Sequence, residues 1–269
     1  MSCVIFGSLY DVFFLYYNIM VDIETIEHLL ELNRRFYQTF GGAFAATRRR
    51  IQTGVKLAID RLPDDGIWLD IGCGSGALAQ QLLMHTRRRG RYVGLDFSSS
   101  LLEEARKTVA VEPAGAFKVE FLQADLSDPT WEDILGDVSF DVVLAFAVLH
   151  HLPGFDLRVR LMRQIREHLS PAGCFIHSEW QFQHSERLMA RRVPWNTVGI
   201  ADQDVETGDT LLDWRSSLPG QKEKVGLRYV HLFTRAELLK LAETSGFKIV
   251  DEFESDGKGG RLGLYQVWR

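Results

Sequence analysis

Read from its N-terminal end, the chain first shows a helical register: Ile23, Ile26, Leu29, Leu30 and Leu32 fall near one helix face. A second helical stretch is predicted over residues 44–62, ended by Pro63-Asp64-Asp65-Gly66. Beyond it the pattern changes. Short apolar runs at residues 67–71, 91–96, 118–124, 141–147 and 174–180 read as strands, with helical spacing at 77–85, 99–111 and 156–169. This alternation predicts an α/β fold, a mostly parallel sheet covered on both faces. The rhythm pauses from residue 181 to about residue 230, where no period is evident; a helical or irregular cap is expected there. A helix resumes at Thr234, with Glu237 placed for a capping box, and stops at Gly246. Residues 247–254 and 263–268 then read as two strands around a glycine-rich turn, a closing antiparallel hairpin.

The 269 residues are 46% hydrophobic and 25% charged, which excludes a disordered or collagen-like chain and allows one core domain with an appended cap. A net charge of −5 argues against a globally basic nucleic-acid binder and leaves room only for a local basic patch. Cys3, Cys73 and Cys174 are far apart and form no C-x-x-C pair. A reducing, cytoplasmic setting without a metal cluster is expected. Residues 1–20 are apolar and aromatic, but no Lys or Arg precedes Arg34, and Asp11 and Asn18 interrupt the run. They lack the marks of a signal peptide and are short for a membrane span, so stable membrane association is not expected. The reading is an N-terminal extension over residues 1–20 with Met20 as a natural start, a helical segment over 21–62, and a domain over 63–269 that carries the cap at 181–230.

The chemistry concentrates at strand ends. Trp68-Leu69-Asp70-Ile71 runs into Gly72-Cys73-Gly74-Ser75-Gly76, a strand ending in a glycine turn that opens a helix. Glycines serve where backbone must turn sharply or approach a ligand closely, and the helix beyond offers free N–H groups. The spacing G-x-G-x-G differs from the G-x-G-x-x-G of dinucleotide sites; a plain tight turn is the alternative. The next strand ends in Asp96, placed to bind ribose hydroxyls or merely to cap the following helix. The third ends before Asp125, which suits an adenine amino group. The fourth runs through Phe146 into Val148-Leu149-His150-His151. All four lie at the carboxyl edge, where open α/β sheets bind ligands.

Together DIGCGSG, GLDFS, QADL, FDVVLAFAVLHHL and LSPAGCF resemble the class I S-adenosylmethionine-dependent methyltransferases, over roughly residues 64–268. The resemblance implies a Rossmann-like, seven-stranded, mostly parallel sheet ending in a reversed hairpin, and S-adenosyl-L-methionine as cofactor. It implies that Gly72, Cys73, Gly74 and Gly76 pass the methionine portion with Asp70 beneath, and that Asp96 holds the ribose with Phe97 on the adenine. Asp125 and Leu126 would frame the adenine edge, and Phe146 would lie near the sulfonium. The flanks are similar to the family that methylates the carboxymethyl group of the tRNA wobble uridine. They include Phe44-Ala45-Ala46-Thr47-Arg48, Val148-Leu149-His150-His151, Val193-Pro194-Trp195, Gln203-Asp204-Val205 and Arg228-Tyr229-Val230-His231. Val230 stands where that family has a second tyrosine, and Pro194-Trp195 precedes Gln203-Asp204 rather than following it. From this likeness Arg48 is expected at the cofactor carboxylate, and a small zinc-binding activator protein is an expected partner.

A carboxylate acceptor is ionised at neutral pH and needs no general base; a phenol or amine acceptor would profit from one. The expected substrate-side residues are Arg228, Tyr229, His231 and His150; packing at a strand-to-helix corner is the alternative for His150 and His151, and an ordinary strand before the last helix is the alternative for His231. Arg48-Arg49-Arg50, Arg87-Arg88-Arg89 and the group Arg187, Arg191, Arg192 are basic. Such runs are usually solvated faces, but the last, with Trp195 and Trp214, reads as a clamp for a splayed nucleotide. The expected activity is O-methylation of a carboxylate on tRNA. The rival readings are a small-molecule O- or N-methyltransferase and a non-catalytic cofactor-binding module.

Overall fold

The computed structural model describes residues 21–46, 50–84, 89–109, 117–216 and 224–269. The N-terminal extension over residues 1–20, Arg48, Arg49, Arg87 and Arg88 lie outside the described residues. Strands β1 (Asp65–Ile71), β2 (Arg89–Asp96), β3 (Phe117–Gln123), β4 (Phe140–Phe146), β5 (Leu169–Trp180), β9 (Ile249–Ser255) and β10 (Gly263–Trp268) form one sheet in the order β3-β2-β1-β4-β5-β10-β9. The first five are parallel; β10 runs antiparallel to both β5 and β9. The expected seven-stranded sheet with a reversed hairpin is therefore present. The chain order reverses between β1 and β4, which opens a crevice at the carboxyl edge.

Both faces of the sheet are covered, so its central strands are continuous apolar runs. On one face Leu69, Val93, Val143 and Phe175 pack against α5 (Phe155–Glu167) and α7 (Arg235–Thr244). On the other, Trp68, Tyr92, Val142 and Ile176 pack against α2 (Thr53–Ile59), α3 (Ala77–Leu83) and α4 (Ser99–Val109). The predicted capping box at α7 forms: the Thr234 side chain accepts from the Glu237 N–H, and Glu237 accepts from the Thr234 N–H.

Two expectations need correction. The two N-terminal helical stretches are present with shifted bounds: α1 (Ile23–Ala46) takes in the start of the second, which is reduced to the short α2, with Gln52 extended before it. Helix α1 continues past residue 36 because Phe36 and Phe40 pack edge-on and tilted against Trp214. The cap is also not chiefly helical. After the short α6 (Glu186–Met189) it holds a three-stranded antiparallel sheet of β6 (Arg192–Val193), β7 (Asp209–Ser216) and β8 (Lys224–His231). Its alternation is hidden because both faces are buried. Neighbours Leu211 and Leu212 are each 1% exposed, one packed with Leu29 and Trp195, the other with Phe182 and Val230. The strands also carry buried polar residues such as Asp209, Asp213 and Arg228. Trp195 sits inside this packing and Trp214 lies against α1, so the pair is structural rather than a nucleotide clamp.

A buried polar clasp locks cap to core. Arg158 of α5 donates to the Leu152 carbonyl (2.8 Å), lies 2.9 Å from the Glu206 carboxylate and reaches the Tyr229 hydroxyl at 3.2 Å. The Tyr229 hydroxyl in turn donates to Asp209 (2.8 Å), which also receives His231 Nδ1 at 2.7 Å. Glu206, Asp209 and His231 bring ligand-type atoms within 4.8 Å of one another, and the cation among them is the Arg158 guanidinium. Among the described residues, no helix is long and apolar enough to cross a membrane.

Removing the cation from this clasp leaves the largely buried Glu206 carboxylate without its ion pair and Asp209 without a neighbouring positive charge. Arg158→Met is expected to destabilise the chain by about 3–5 kcal/mol in chemical denaturation. Arg235→Ala, which removes exposed pairs with Glu252 and Glu254, is expected to cost at most about 1 kcal/mol.

Candidate active site

Two cavities adjoin at the carboxyl edge. The larger, about 290 Å³, lies between α1 and the ends of β1, β2 and β4. Its floor is the turn after β1. Gly72 and Gly74 take positive φ of 72° and 55°, the region open to glycine. A Cβ at Gly72 would strike Val148 at 2.5 Å; one at Gly74 would meet nothing within 4 Å. Gly74 therefore leaves a cradle in which a ligand can approach the backbone. Asp96 is 7% exposed and accepts the Gly74 and Ser98 N–H groups, both at 2.9 Å. Burial pushes its carboxyl up to about 6. Asp70 accepts from the Tyr92 hydroxyl, and burial pushes it up to about 7 against that bond. Burial likewise raises the Cys73 thiol.

Asp70, Gly72, Cys73, Gly74, Asp96, Phe97, Asp125, Leu126 and Phe146 all border this cavity. Gly76 does not. It caps α3 with φ of 76°, and its Cβ would meet Ala105 at 2.9 Å, so it serves the packing of α3 on α4. Asp125 is already engaged: Arg34 Nε donates to one oxygen at 2.9 Å, and the Ser127 N–H and hydroxyl donate to the other at 2.9 and 2.6 Å. Residue 48 being undescribed, the basic residue seen at the cavity beside this segment is Arg50, with Gln52.

The smaller cavity, about 40 Å³, shares Gln52, Ala147 and His151 with the larger. Ala147 takes φ of 59°, a strained choice for a residue with a side chain. Its N–H is held by the Ser178 carbonyl at 3.0 Å and hydroxyl at 3.1 Å. His151 Nδ1 lies 3.2 Å from the Tyr229 carbonyl, an acceptor only, so Nδ1 donates. In the neutral ring Nε2 then accepts from the Tyr37 hydroxyl at 2.8 Å. Arg228, 5% exposed, borders the small cavity with its guanidinium 4.9 Å from the Trp180 ring and 5.6 Å from that of Phe36. Two aromatic faces thus hold a planar cation in place.

Of the four expected substrate-side residues, the structure brings Arg228 and His150 to this cavity. Tyr229 and His231 border neither cavity; at 0% and 1% exposure their side chains belong to the clasp with Arg158 and Asp209. Sequence reasoning missed Asn33, Arg34 and Tyr37 of α1, which form the roof of the larger cavity. The signal was available: each falls three, four or seven positions after Leu29 or Leu30, on the face read only for its apolar members. Asn33 pairs with both backbone groups of Tyr229, its amide donating to the carbonyl at 3.1 Å and its oxygen accepting the N–H at 2.9 Å.

Residues 69–175 match a family model described as a methyltransferase domain. A putative methyltransferase of Encephalitozoon cuniculi is 30% identical over 219 residues, 81% of this chain and 87% of that one. A tRNA (carboxymethyluridine(34)-5-O)-methyltransferase of Schizosaccharomyces pombe is 22% identical, over 84% of this chain and 92% of its own length. Among solved structures, an S-adenosylmethionine-dependent methyltransferase of Methanosarcina mazei superposes with a TM-score of 0.58 at 24% identity, over 81% of this chain and 97% of that one. A glycopeptide N-methyltransferase complexed with S-adenosylmethionine gives 0.56 at 19% identity, over 81% and 86%. These structural likenesses show the shared fold.

The raised carboxyls have a consequence for stability. Above the ordinary value of 3.8 the unfolded chain releases protons that Asp70 and Asp96 retain when folded, up to about 7 and about 6. Their contribution is therefore fully present at low pH and is lost as pH rises through those values. Urea unfolding of the ligand-free chain is expected to show lower stability at about pH 8 than at about pH 5. Asp70→Asn, neutral throughout, should shrink the difference; an undiminished difference in that variant would remove Asp70 from the account.

Proposed function

The chain belongs to the S-adenosylmethionine-dependent methyltransferases, and on that premise we propose that it esterifies a carboxylate, the carboxymethyl group of a tRNA wobble uridine. The observation that carries this reading is the small cavity with the buried Arg228 side chain on its border, which shares Gln52, Ala147 and His151 with the lining of the larger cavity. A guanidinium fixed between aromatic rings suits a planar anion. A cavity of about 40 Å³ admits a group of a few atoms, such as a carboxymethyl tip, rather than a whole base.

The residues present fit the cofactor. The Gly74 cradle would receive its amino-acid portion, Asp96 its ribose hydroxyls, and Phe97 and Leu126 its adenine. S-adenosylmethionine supplies an electrophilic methyl group on a sulfonium, displaced in line by the acceptor. What the chain itself supplies is alignment, the larger part of the gain in such a reaction. Arg228 would hold one carboxylate oxygen while the other faces the methyl. The strained turn at Ala147 and the roof residue Tyr37, bonded to His151, would exclude water from the meeting point. The acceptor arrives ionised, so no base is required.

The Schizosaccharomyces pombe relative, a tRNA (carboxymethyluridine(34)-5-O)-methyltransferase, supports this choice of acceptor. Exposed Arg187 and Arg192 offer local contacts for a phosphate backbone. With a net charge of −5, a zinc-binding activator subunit would add the remaining RNA affinity. A small-molecule carboxylate is the second reading, favoured by the commitment of Trp195 and Trp214 to packing.

The test is transfer of labelled methyl from S-adenosylmethionine into separated tRNA and small-molecule fractions. Label is expected in tRNA and is expected to leave as methanol in mild base. Arg228→Ala should lower kcat/KM for that acceptor about 10- to 150-fold, the worth of one charged hydrogen bond, with cofactor affinity retained. Base-stable label would overturn the ester, and label confined to small molecules would overturn tRNA.

A further inference from the structure

We propose that Glu179 is a positioning residue for the acceptor: its carboxyl, sealed between His177 and His150, fixes the His150 ring at the wall of the small cavity. The inference deepens the function proposed above and rests on that reading. Glu179 lies near the end of β5, is 1% exposed, and borders the small cavity together with His150 and Arg228. One carboxyl oxygen is 3.0 Å from His177 Nδ1 and the other 3.2 Å from His150 Nδ1. His177 is itself immobilised by the core, stacked on Phe175 at 5.1 Å and 9° and edge-on to Trp268 at 4.6 Å. A continuous row therefore runs from the packed core through Glu179 to the cavity wall.

Burying an acid in such a place is expensive unless it is neutral or paired with a cation. Both neighbours here are imidazoles. Burial pushes Glu179 well above the usual carboxylate range, against the pull of Arg158, and pushes His177 down to about 3, so burial favours the neutral form of each. A protonated carboxyl between two Nδ1 atoms donates to one ring and accepts from the other. That state also suits the substrate, because an ionised Glu179 would repel an acceptor carboxylate in the same small cavity. The other charged or titratable groups facing the row are Arg158 from α5, which favours ionisation, Arg228 from β8, His151 from the turn after β4, and Asp256 from the β9–β10 loop. Methyl transfer to a carboxylate moves no proton, so Glu179 acts through His150 and not on the reacting atoms.

A glutamine keeps one donor and one acceptor in the same frame, so it copies the protonated acid and cannot copy the ionised one. Three versions of the 269-residue chain are compared: wild type, Glu179→Ala and Glu179→Gln. The readouts are cofactor affinity by calorimetry, His150 ring tautomer by nitrogen-15 NMR, and kcat and KM on whichever extract fraction accepts label. Glu179→Ala is expected to mix the His150 tautomers and raise acceptor KM about tenfold or more, with cofactor affinity within about twofold. Glu179→Gln should restore a single tautomer and most of the lost kcat/KM. Activity that falls equally in both variants would show that the ionised acid is needed, and acceptor KM unmoved in both would make Glu179 merely structural; either result overturns the proposal. Label appearing only in small molecules would overturn the tRNA acceptor while leaving this comparison to be read on the metabolite.

Discussion

The backbone of Tyr229 is the point on which the rest of the site depends. Its carbonyl accepts from both the Asn33 amide and His151 Nδ1, and its N–H is held by the Asn33 oxygen. Three pieces of chain that are distant in sequence thus meet at one peptide: the roof helix α1, the strained turn after β4, and the cap strand β8. Buried backbone groups left without partners cost about as much as a lost hydrogen bond, so these three pieces hold one another in register. The Tyr229 side chain extends the same tie through Asp209 and Arg158 into α5. The cap is consequently joined to the core beneath it and not only to the strands that precede and follow it.

From this constraint follows the division of the active site into two compartments. The glycine turn, Asp96 and the ends of β1 and β2 form the larger one, roofed by α1. The end of β5 and the cap form the smaller one, with Arg228 on its border. They share a wall at Ala147 and His151, where the chain accepts a left-handed residue at Ala147. Strain at that point is stable because the surroundings over-determine it: Ser178 holds the N–H, and Val148 packs against Gly72. Charge is partitioned as well. Asp70 and Asp96 of the larger cavity are raised by burial, while the smaller cavity places the Arg228 cation beside Glu179, an acid that burial also raises.

Much of this was legible in the sequence, and what was not has identifiable causes. The parallel strands, the glycine turn and the acids at the ends of β2 and β3 are local signals, each written within a few residues, and they lie at the larger cavity. The capping box at Thr234 is equally local. The cap sheet was hidden because both of its faces are buried, so Leu211 and Leu212 erase the period-two pattern that marks a half-exposed strand. The placing of Tyr229 and His231 on the substrate side rests on the likeness of Arg228-Tyr229-Val230-His231 to a family motif; their side-chain partners, Arg158 and Asp209, lie on other elements and are not visible in that motif. His150 and His151 are adjacent yet do different things, since one faces Glu179 and the other Tyr37. Only three-dimensional placement separates them. The contribution of α1 was missed for a related reason: its polar members at Asn33, Arg34 and Tyr37 share the buried face with leucines that alone suffice to predict the helix.

The claim on which the account turns is that the methyl acceptor enters the small cavity as a carboxylate. A structure of the chain with S-adenosylhomocysteine and 5-carboxymethyluridine tests it directly. The account predicts the carboxylate in contact with the Arg228 guanidinium, the uracil ring outside the small cavity, and one carboxylate oxygen turned toward the sulfur beside Ala147. A carboxylate lying elsewhere, with Arg228 untouched and the small cavity filled by another part of the ligand or by water, would contradict it.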